Sequence, residues 1–487
     1  MEENSIKTQK FIVKYFTEIM IKGDSAKKQM INKLFANLTK ISNAISQDIV
    51  LKKFFDKIEL VCPVEFAEIL KQKLLQTAGI EQLLEAIQID NMHTLDDIKL
   101  AVNQYMAKEI IGKTFVVRAK RVGTQDFKST NIEQTVGGYM LAHNPQTLGV
   151  KLKGADYTIN LELEHSKLNI ITKKHAGMGG FPLGTQGELL SLMSGGFDST
   201  VASYLSLKRG VKTHFIFFNL GGVAHEIGVK QVAYYLWEKF ASTEDLEFIT
   251  IPFEGVVEQI FKDISPSYMG VMLKRLMIQA SQQVAKDMNI DALITGESVA
   301  QVSSQTLRNL SLIDSASEIL ILRPLAFMSK PDIIEIATKI GTKKFAEAMP
   351  EYCGVISQNP VTAGSFTRVE KESKAFDYTV LDEAVKSARF KKVKDVLEDV
   401  CEVGTLEVVN SLKDDDVLID IRQSEDIYKA PCEVLKIPFY SLKKEFAKLS
   451  SDKTYYLYCD KGVLSQLHGQ YLKDEKGYTN IKVYRPN

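Results

Sequence analysis

Apolar and polar positions follow two periods along this chain, and where each period holds it predicts an element. Phe11-Ile12-Val13-Lys14-Tyr15-Phe16 reads as a strand, Ser25 to about Thr39 as a helix, and the run ending Val61-Cys62-Pro63 as a second extended segment. Strand, helix and strand in so short a stretch predict a small α/β unit. Helices near Glu65–Thr77 and Thr94–Glu109 follow, then a strand over Phe115–Val122. From Glu188 to about Asp382 short apolar strands alternate with helices. Leu189–Met193 leads to a helix over Ser199–Arg209, and His214–Asn219 to one over Glu226–Phe240; Phe248–Ile251, Ala292–Thr295 and Ile319–Leu322 continue the series. This alternation predicts a doubly wound parallel sheet with helices on both faces and ligands beyond the carboxyl ends of its strands. Residues 370–402 read as a charged, helical connector. Asp416–Arg422, Ile437–Tyr440 and Thr454–Tyr458 begin a further α/β unit.

At 487 residues the chain exceeds one ordinary core, and about 150 residues per domain implies three or four. The expected divisions are 1–62 (a small ferredoxin-like α/β unit), 63–170, a glycine-rich linker at 171–187, a nucleotide-type α/β domain at 188–382, a connector at 383–403 and a final α/β domain at 404–487. The linker rests on Gly177-Met178-Gly179-Gly180-Phe181-Pro182-Leu183-Gly184, read as a flexible hinge or as a segment near substrate. Average apolar and charged fractions, 45% and 25%, exclude a fibre or a disordered chain. Net charge is zero but uneven: residues 1–180 carry 25 Lys and Arg against 20 Asp and Glu, and residues 181–487 carry 36 against 41. A basic N-terminal third permits a nucleic-acid partner. No apolar run approaches the ~20 residues that span a bilayer, and Met-Glu-Glu-Asn-Ser carries no secretory pattern, so a cytoplasmic protein without a membrane partner is expected. Five scattered cysteines form no Cys-x-x-Cys pair, which leaves catalytic or redox roles for any that are not core.

The chemistry concentrates at Ser194-Gly195-Gly196-Phe197-Asp198-Ser199-Thr200. A buried strand ending at Met193 feeds a tight turn and then a helix, so backbone N–H groups, the helix dipole and the Ser194 and Ser199 hydroxyls converge on an anion. A plain strand-to-helix turn capped by Asp198 or Ser199 is the alternative. The full string resembles the pyrophosphate loop of the ATP pyrophosphatases, which cleave ATP between its α- and β-phosphates. It lacks the Gly-Lys-Ser/Thr ending of a Walker loop.

Two further blocks widen the resemblance. Lys113, Arg118, Lys120, Arg121 and Lys128 cluster on one strand and its turn, facing either solvent at a sheet edge or a phosphate backbone. With Gly137-Gly138 and Lys151-Leu152-Lys153-Gly154-Ala155-Asp156-Tyr157, this segment resembles a THUMP domain, an RNA-binding module that holds the acceptor end of tRNA together with the small domain before it. Tyr268 to Arg275 and Gly296 to Thr306 resemble the tRNA sulfurtransferases that make 4-thiouridine, and the likeness then runs across nearly the whole chain. It implies that Leu192, Met193, Lys274, Gly296 and Gln305 contact ATP with the loop residues. It also implies that Asp198 positions Mg2+ and phosphates, and that Lys330 stabilises charge on the reacting phosphoryl group. Read without the family, Lys274 is a helix-surface lysine and Lys330 marks a helix start.

Cys353 sits in the turn Met349-Pro350-Glu351-Tyr352-Cys353-Gly354-Val355. Cys459 ends a strand before a short loop and a helix, where a thiol faces backbone N–H groups and a positive dipole end; it is a nucleophile candidate. Cys459-x-x-Gly-x-x-Ser with the upstream Asp420-x-Arg422 resembles a rhodanese domain, whose loop cysteine carries sulfur as a persulfide. Cys62 reads as core, and Cys401 and Cys432 as bystanders. Taken together, the resemblance implies ATP-dependent sulfur transfer to uridine 8 of tRNA. Uridine O4 is adenylated, a Cys459 persulfide loaded by a cysteine desulfurase supplies the sulfur, and Cys353 resolves the intermediate to a disulfide that a cellular reductant reopens. It further implies sulfur supply to the sulfur-carrier protein of thiamine thiazole synthesis. Attack by free sulfide, a pyrophosphatase-fold ligase, a 2-thiouridylase and a non-enzymatic tRNA-binding sulfur carrier are the alternatives, and a homodimer through the N-terminal or nucleotide domain stays open.

Overall fold

The computed structural model describes residues 8–220, 223–348, 359–398, 406–422, 426–459, 465, 468–469, 472–473 and 477–486, and the structural counts below refer to these. The chain forms two compact units, residues 1–185 with 208–210 and residues 186–207 with 211–487.

The first unit is one continuous eight-stranded sheet. Its strands are β1 (Thr8–Tyr15), β2 (Val50–Lys53), β3 (Lys57–Pro63), β4 (Ile80–Ile89), β5 (Thr114–Val122), β6 (Gly149–Val150), β7 (Tyr157–Glu164) and β8 (Lys167–Gly179), in the order β2-β3-β1-β4-β8-β7-β5-β6. No boundary falls at 62/63. The helix Ala67–Leu75 buries Leu70 and Leu74 in the same core as Phe11, Leu34 and Leu60, and β4 pairs with β1. A ferredoxin-like unit closing at residue 62 would expose that face. The first long helix runs over Asp24–Ile45, past the expected Thr39, because Ile41 and Ile45 continue its packed stripe.

The sheet curls strongly. β3 and β7 are four ladder steps apart, roughly 19 Å in a flat sheet, yet Lys57 on β3 is ion-paired with Glu164 on β7. Lys14 on β1 likewise reaches Glu162 on β7, at 3.2 Å. Burial alone would push the Lys57 ammonium down, but Glu164 and Glu59 hold it above the ordinary lysine range.

The expected linker at 171–187 is half strand. Residues 171–179 belong to β8, paired along β4. Gly177 is there for close approach, since a Cβ at that position would stand 2.2 Å from the Ile80 carbonyl oxygen. Phe181 and Leu183 are buried, and Asn37 donates to the Leu183 carbonyl at 3.1 Å. Glycine that reads as flexibility in sequence is here a packing residue.

The second unit holds β9 (Glu188–Leu192), β10 (Lys212–Asn219), β11 (Glu247–Pro252), β12 (Ala292–Ile294), β13 (Leu320–Leu322) and β14 (Arg389–Lys392), ordered β13-β12-β9-β10-β11-β14. All pair in parallel except β14, which is antiparallel to β11. Leu190, Ile216 and Leu293 pack under the helix Met269–Asp287 on one face; Leu189 and Ile294 pack with Val201 and Ile333 on the other. The doubly wound α/β sheet expected from the alternation is therefore present. It extends beyond residue 382: the helix Thr379–Lys386 adds Leu381 and Ala384 to the core, and β14 lies inside the expected connector. Arg-Phe-Lys-Lys looks like a connector because edge strands tolerate charge.

A five-stranded parallel sheet follows, with β15 (Val408–Val409), β16 (Val417–Asp420), β17 (Glu433–Lys436), β18 (Tyr455–Tyr458) and β19 (Ile481–Tyr484) ordered β15-β19-β18-β16-β17. The extended stretch expected at 437–440 is instead a helix start: Pro438, with φ −54°, precedes the helix Phe439–Phe446. Among the described residues no helix is long and apolar enough to cross a membrane.

Candidate active site

β9 is the switch point of the second unit. β10 and β11 lie to one side of it and β12 and β13 to the other, so the crevice beyond its carboxyl end is where such sheets bind ligands. The backbone there turns through Gly195 at φ +80°, a conformation that favours glycine, and enters the helix Phe197–Lys208 two residues earlier than the sequence suggested. Gly196 then closes the first turn, its carbonyl accepting from the Thr200 hydroxyl at 2.8 Å. The Ser199 hydroxyl accepts from the Ser194 N–H at 3.2 Å and lies 3.1 Å from Ser194 Oγ. Asp198 does not cap the helix. Its carboxylate accepts from Lys330 Nζ at 2.8 and 3.0 Å and from Gln301 Nε2 at 2.8 Å. Lys330 opens the helix Lys330–Ile340 behind the cap Ser329, as its sequence position suggested.

Gly296, just past β12, lets the end of that strand meet the start of the helix Phe197–Lys208: a Cβ there would lie 2.4 Å from the Asp198 carbonyl carbon and 2.6 Å from the Ser199 nitrogen. Glu297 is buried between Lys274 and Arg323, at 2.9 Å from each. Burial pushes its carboxyl up, but the two cations together hold it below the ordinary range. Gln305 turns its side-chain oxygen to the Ser298 N–H at 3.3 Å.

These groups surround a cavity of about 440 Å³, in the range of small-molecule sites. Leu192, Met193, Ser194, Gly196, Asp198, Ser199, Lys274, Gly296, Gln305 and Lys330 all line it. Gly195 and Thr200 are not among its lining residues; they shape the loop from behind. The cavity is lined by apolar residues, among them Leu192, Phe218, Met277 and Ile278, together with the polar and charged Ser194, Asp198, Lys274 and Lys330. That mixed lining suits a flat apolar ring joined to a polyanion.

Sequence reading passed over His225, Gln301 and Arg323 as site residues. His225 Nε2 lies 3.2 Å from the Ser194 carbonyl, its ring meets Phe217 edge-on at 4.9 Å, and burial lowers its pKa below the usual imidazole value. Only the strand-end rule could have signalled Arg323, which follows β13 directly. No group of three or more His, Cys, Asp or Glu suited to a metal occurs among the described residues.

The basic cluster of the first unit divides. β5 is an edge only beyond Phe115, since β7 flanks its length and β6 pairs with Thr114 and Phe115 alone. Arg118 donates to the Leu152 carbonyl at 2.7 Å, Arg121 to the Gly123 carbonyl at 2.7 Å, and Lys113 to the Glu109 carbonyl at 3.0 Å. Lys120 and Lys128 are exposed.

In the last sheet Cys459 follows β18 and is buried, its Sγ accepting from the Ser465 N–H at 3.4 Å. Asp420 is fully buried and meets Arg422 at 2.9 Å and Lys436 at 3.0 Å. Burial pushes its carboxyl up, but hydrogen bonds from Arg422, the Tyr428 N–H and Lys436 bring it down to about 2. Cys62 is buried as expected, and burial pushes its thiol up to about 11. Cys353 and Cys401, with residues 460–464, lie outside the described residues.

Residues 184–378 match the family model of the thiamine biosynthesis protein ThiI, and residues 92–173 match the THUMP domain. The crystal structure of a 4-thiouridine synthetase–RNA complex with bound ATP superposes with a TM-score of 0.69, at 24% identity, over 79% of this chain and 100% of that one. A Pyrococcus horikoshii protein superposes at 0.52, with 18% identity, over 68% and 99%. The tRNA sulfurtransferase of Saccharophagus degradans is 44% identical over 98% of this chain and its own whole length; that of Aeromonas salmonicida is 45% identical over the same shares. With that identity over the full length, the chain belongs to the tRNA sulfurtransferase family, and it is an enzyme of that class.

Proposed function

We propose that this enzyme uses ATP to adenylate O4 of uridine 8 in tRNA and replaces the resulting AMP with sulfur, giving 4-thiouridine. The observation that carries the reading is the meeting of Asp198 and Lys330. They are 132 positions apart in sequence and 2.8 Å apart, and both line the cavity at the sheet's switch point. A relative of this fold was solved with RNA and ATP. ATP takes its base against Leu192, Met193 and the Met277–Ile278 side, with its phosphates over Ser194, Gly196 and Ser199. Lys274 and Lys330 supply positive charge where phosphoryl transfer needs it. Gly296 and Gln305 shape the wall, and Gly195 and Thr200 hold the loop.

Mg2+ usually keeps most of its ligands as water and substrate phosphate, with one or two carboxylates from protein. Asp198 fits that role, and the metal would neutralise phosphate charge. The Asp198–Lys330 pair keeps both groups oriented before nucleotide arrives.

Sulfur follows a relay through the rhodanese-like C-terminal unit. A cysteine desulfurase loads Cys459 as a persulfide, and its terminal sulfur attacks C4 and expels AMP. The Cys353 thiolate then attacks the Cys459 sulfur, releasing 4-thiouridine and leaving a Cys353–Cys459 disulfide. A cellular dithiol returns two electrons to reopen it. The same persulfide serves the sulfur-carrier protein of thiamine thiazole synthesis. Lys113, Arg118, Lys120, Arg121 and Lys128 form the tRNA-facing surface, and the reaction takes place in the cytoplasm.

The test is mass spectrometry of nucleosides from unmodified tRNA incubated with protein, ATP, Mg2+, cysteine and a desulfurase. 4-Thiouridine is expected with the natural sequence and lost in both Asp198→Ala and Cys459→Ala. Survival in Cys459→Ala would remove the persulfide relay, and no product with the natural sequence would leave a tRNA-binding sulfur carrier.

A further inference from the structure

Phe327 is 93% exposed, three residues before Lys330. A phenylalanine so placed forgoes its whole burial contribution to folding. The turn that carries it is firmly held. The Ala326 carbonyl accepts from the Val299 N–H at 2.9 Å, the Met328 carbonyl accepts from the Ser298 hydroxyl at 2.9 Å, and Leu325 is fully buried. Backbone on both sides of Phe327 is thus pinned to the segment between Glu297 and Gln301, two residues that line the cavity. Three residues of chain span at most about 11 Å, so Phe327, itself outside the cavity lining, lies near Lys330, which is part of it. Val302 lines the cavity and is 51% exposed.

We infer that Phe327 is a substrate-positioning residue that stacks on the nucleobase next to the reacting uridine. A uridine whose C4 enters the cavity has left the base stack, and its neighbour then presents an open face. Unstacked bases in RNA are received on aromatic side chains, a contact that requires a flat ring and not merely apolar bulk. An exposed ring on a pinned turn, this near a site that takes one base, meets both requirements. The inference rests on the reading of this cavity as the uridine-adenylating site.

The test compares Phe327→Ala, Phe327→Leu and Phe327→Tyr in the full chain, following 4-thiouridine and AMP at varied tRNA and at varied ATP. Alanine and leucine should both lower kcat/KM for tRNA by about 5- to 100-fold, mainly through KM, with the KM for ATP unchanged; tyrosine should restore it to within about 3-fold. A second arm uses tRNA made abasic at each nucleotide flanking the target in turn. One of these should lose as much with the natural protein as Phe327→Ala does, and the two losses should not add. Leucine equal to the natural residue, or fully additive losses at both flanking positions, would overturn the stacking role. If the natural protein makes 4-thiouridine while these outcomes fail, only this inference falls; if it makes none, the functional reading falls with it.

Discussion

Gly296→Ala puts the architecture of the site at stake in a single methyl group. The added Cβ would stand 2.4 Å from the Asp198 carbonyl carbon, 2.6 Å from the Ser199 nitrogen and 2.7 Å from the Asp198 oxygen. Carbon atoms in contact sit about 3.5–4.0 Å apart, so the end of β12 and the start of the helix Phe197–Lys208 must separate by about 1 Å. All three atoms are backbone, and no rotamer change relieves them. Forcing a methyl into such packing costs ~1–3 kcal/mol. The larger consequence is functional, because the same displacement carries Asp198 away from Lys330, and about 1 Å of misplacement costs ~10²-fold in rate. The assays are thermal unfolding, ATP binding by calorimetry and 4-thiouridine formation. The variant should melt a few degrees lower and lose ATP affinity and turnover together. Gly138→Ala is the control: it lies exposed in the helix Ser129–His143 with no atom within 4 Å of its added Cβ, and it should stabilise by roughly 0.5–1 kcal/mol. A Gly296→Ala protein that melts and turns over like the natural one would refute the close approach of β12 to the nucleotide loop.

Two further predictions concern charge. The Asp420 carboxyl stands at about 2 in the folded protein against an ordinary 3.8, which contributes about 2 kcal/mol to the last sheet. Because the folded value is the lower one, that stability is complete above about pH 4 and disappears as pH falls towards 2. Urea unfolding between pH 5 and pH 2.5 should show a steeper loss in the natural protein than in Asp420→Asn; parallel slopes would exclude the linkage. In the first unit, Lys120→Ala should weaken tRNA binding and reduce the slope of log affinity against log salt by about 1. Arg121→Ala should in addition lower stability, since its guanidinium holds the turn at Gly123 and Gln125. Equal salt slopes in the Lys120 variant and the natural protein would remove that lysine from the phosphate contacts.

What the sequence determined by itself was local. The apolar runs at Leu189–Leu192 and His214–Asn219 specify buried parallel strands because residues facing both helical layers must be apolar, and Ser194–Thr200 specifies a tight turn because Gly195 takes a positive φ. Tertiary structure decided what no window of sequence contains. β1 and β4 join what read as two domains into one sheet, since strand pairing sets Lys10 opposite Ala86. Curling then brings Lys57 to Glu164. Glycine at 177 and 296 is required by a carbonyl or a backbone from elsewhere in the chain, and in sequence it is indistinguishable from a hinge. Apart from the family resemblance, Lys330 and Lys274 read as a helix start and a surface lysine, and only folding sets them against Asp198 and Glu297. Periodicity reports which face a residue turns to the core, whereas partnership across the core depends on how the sheets close.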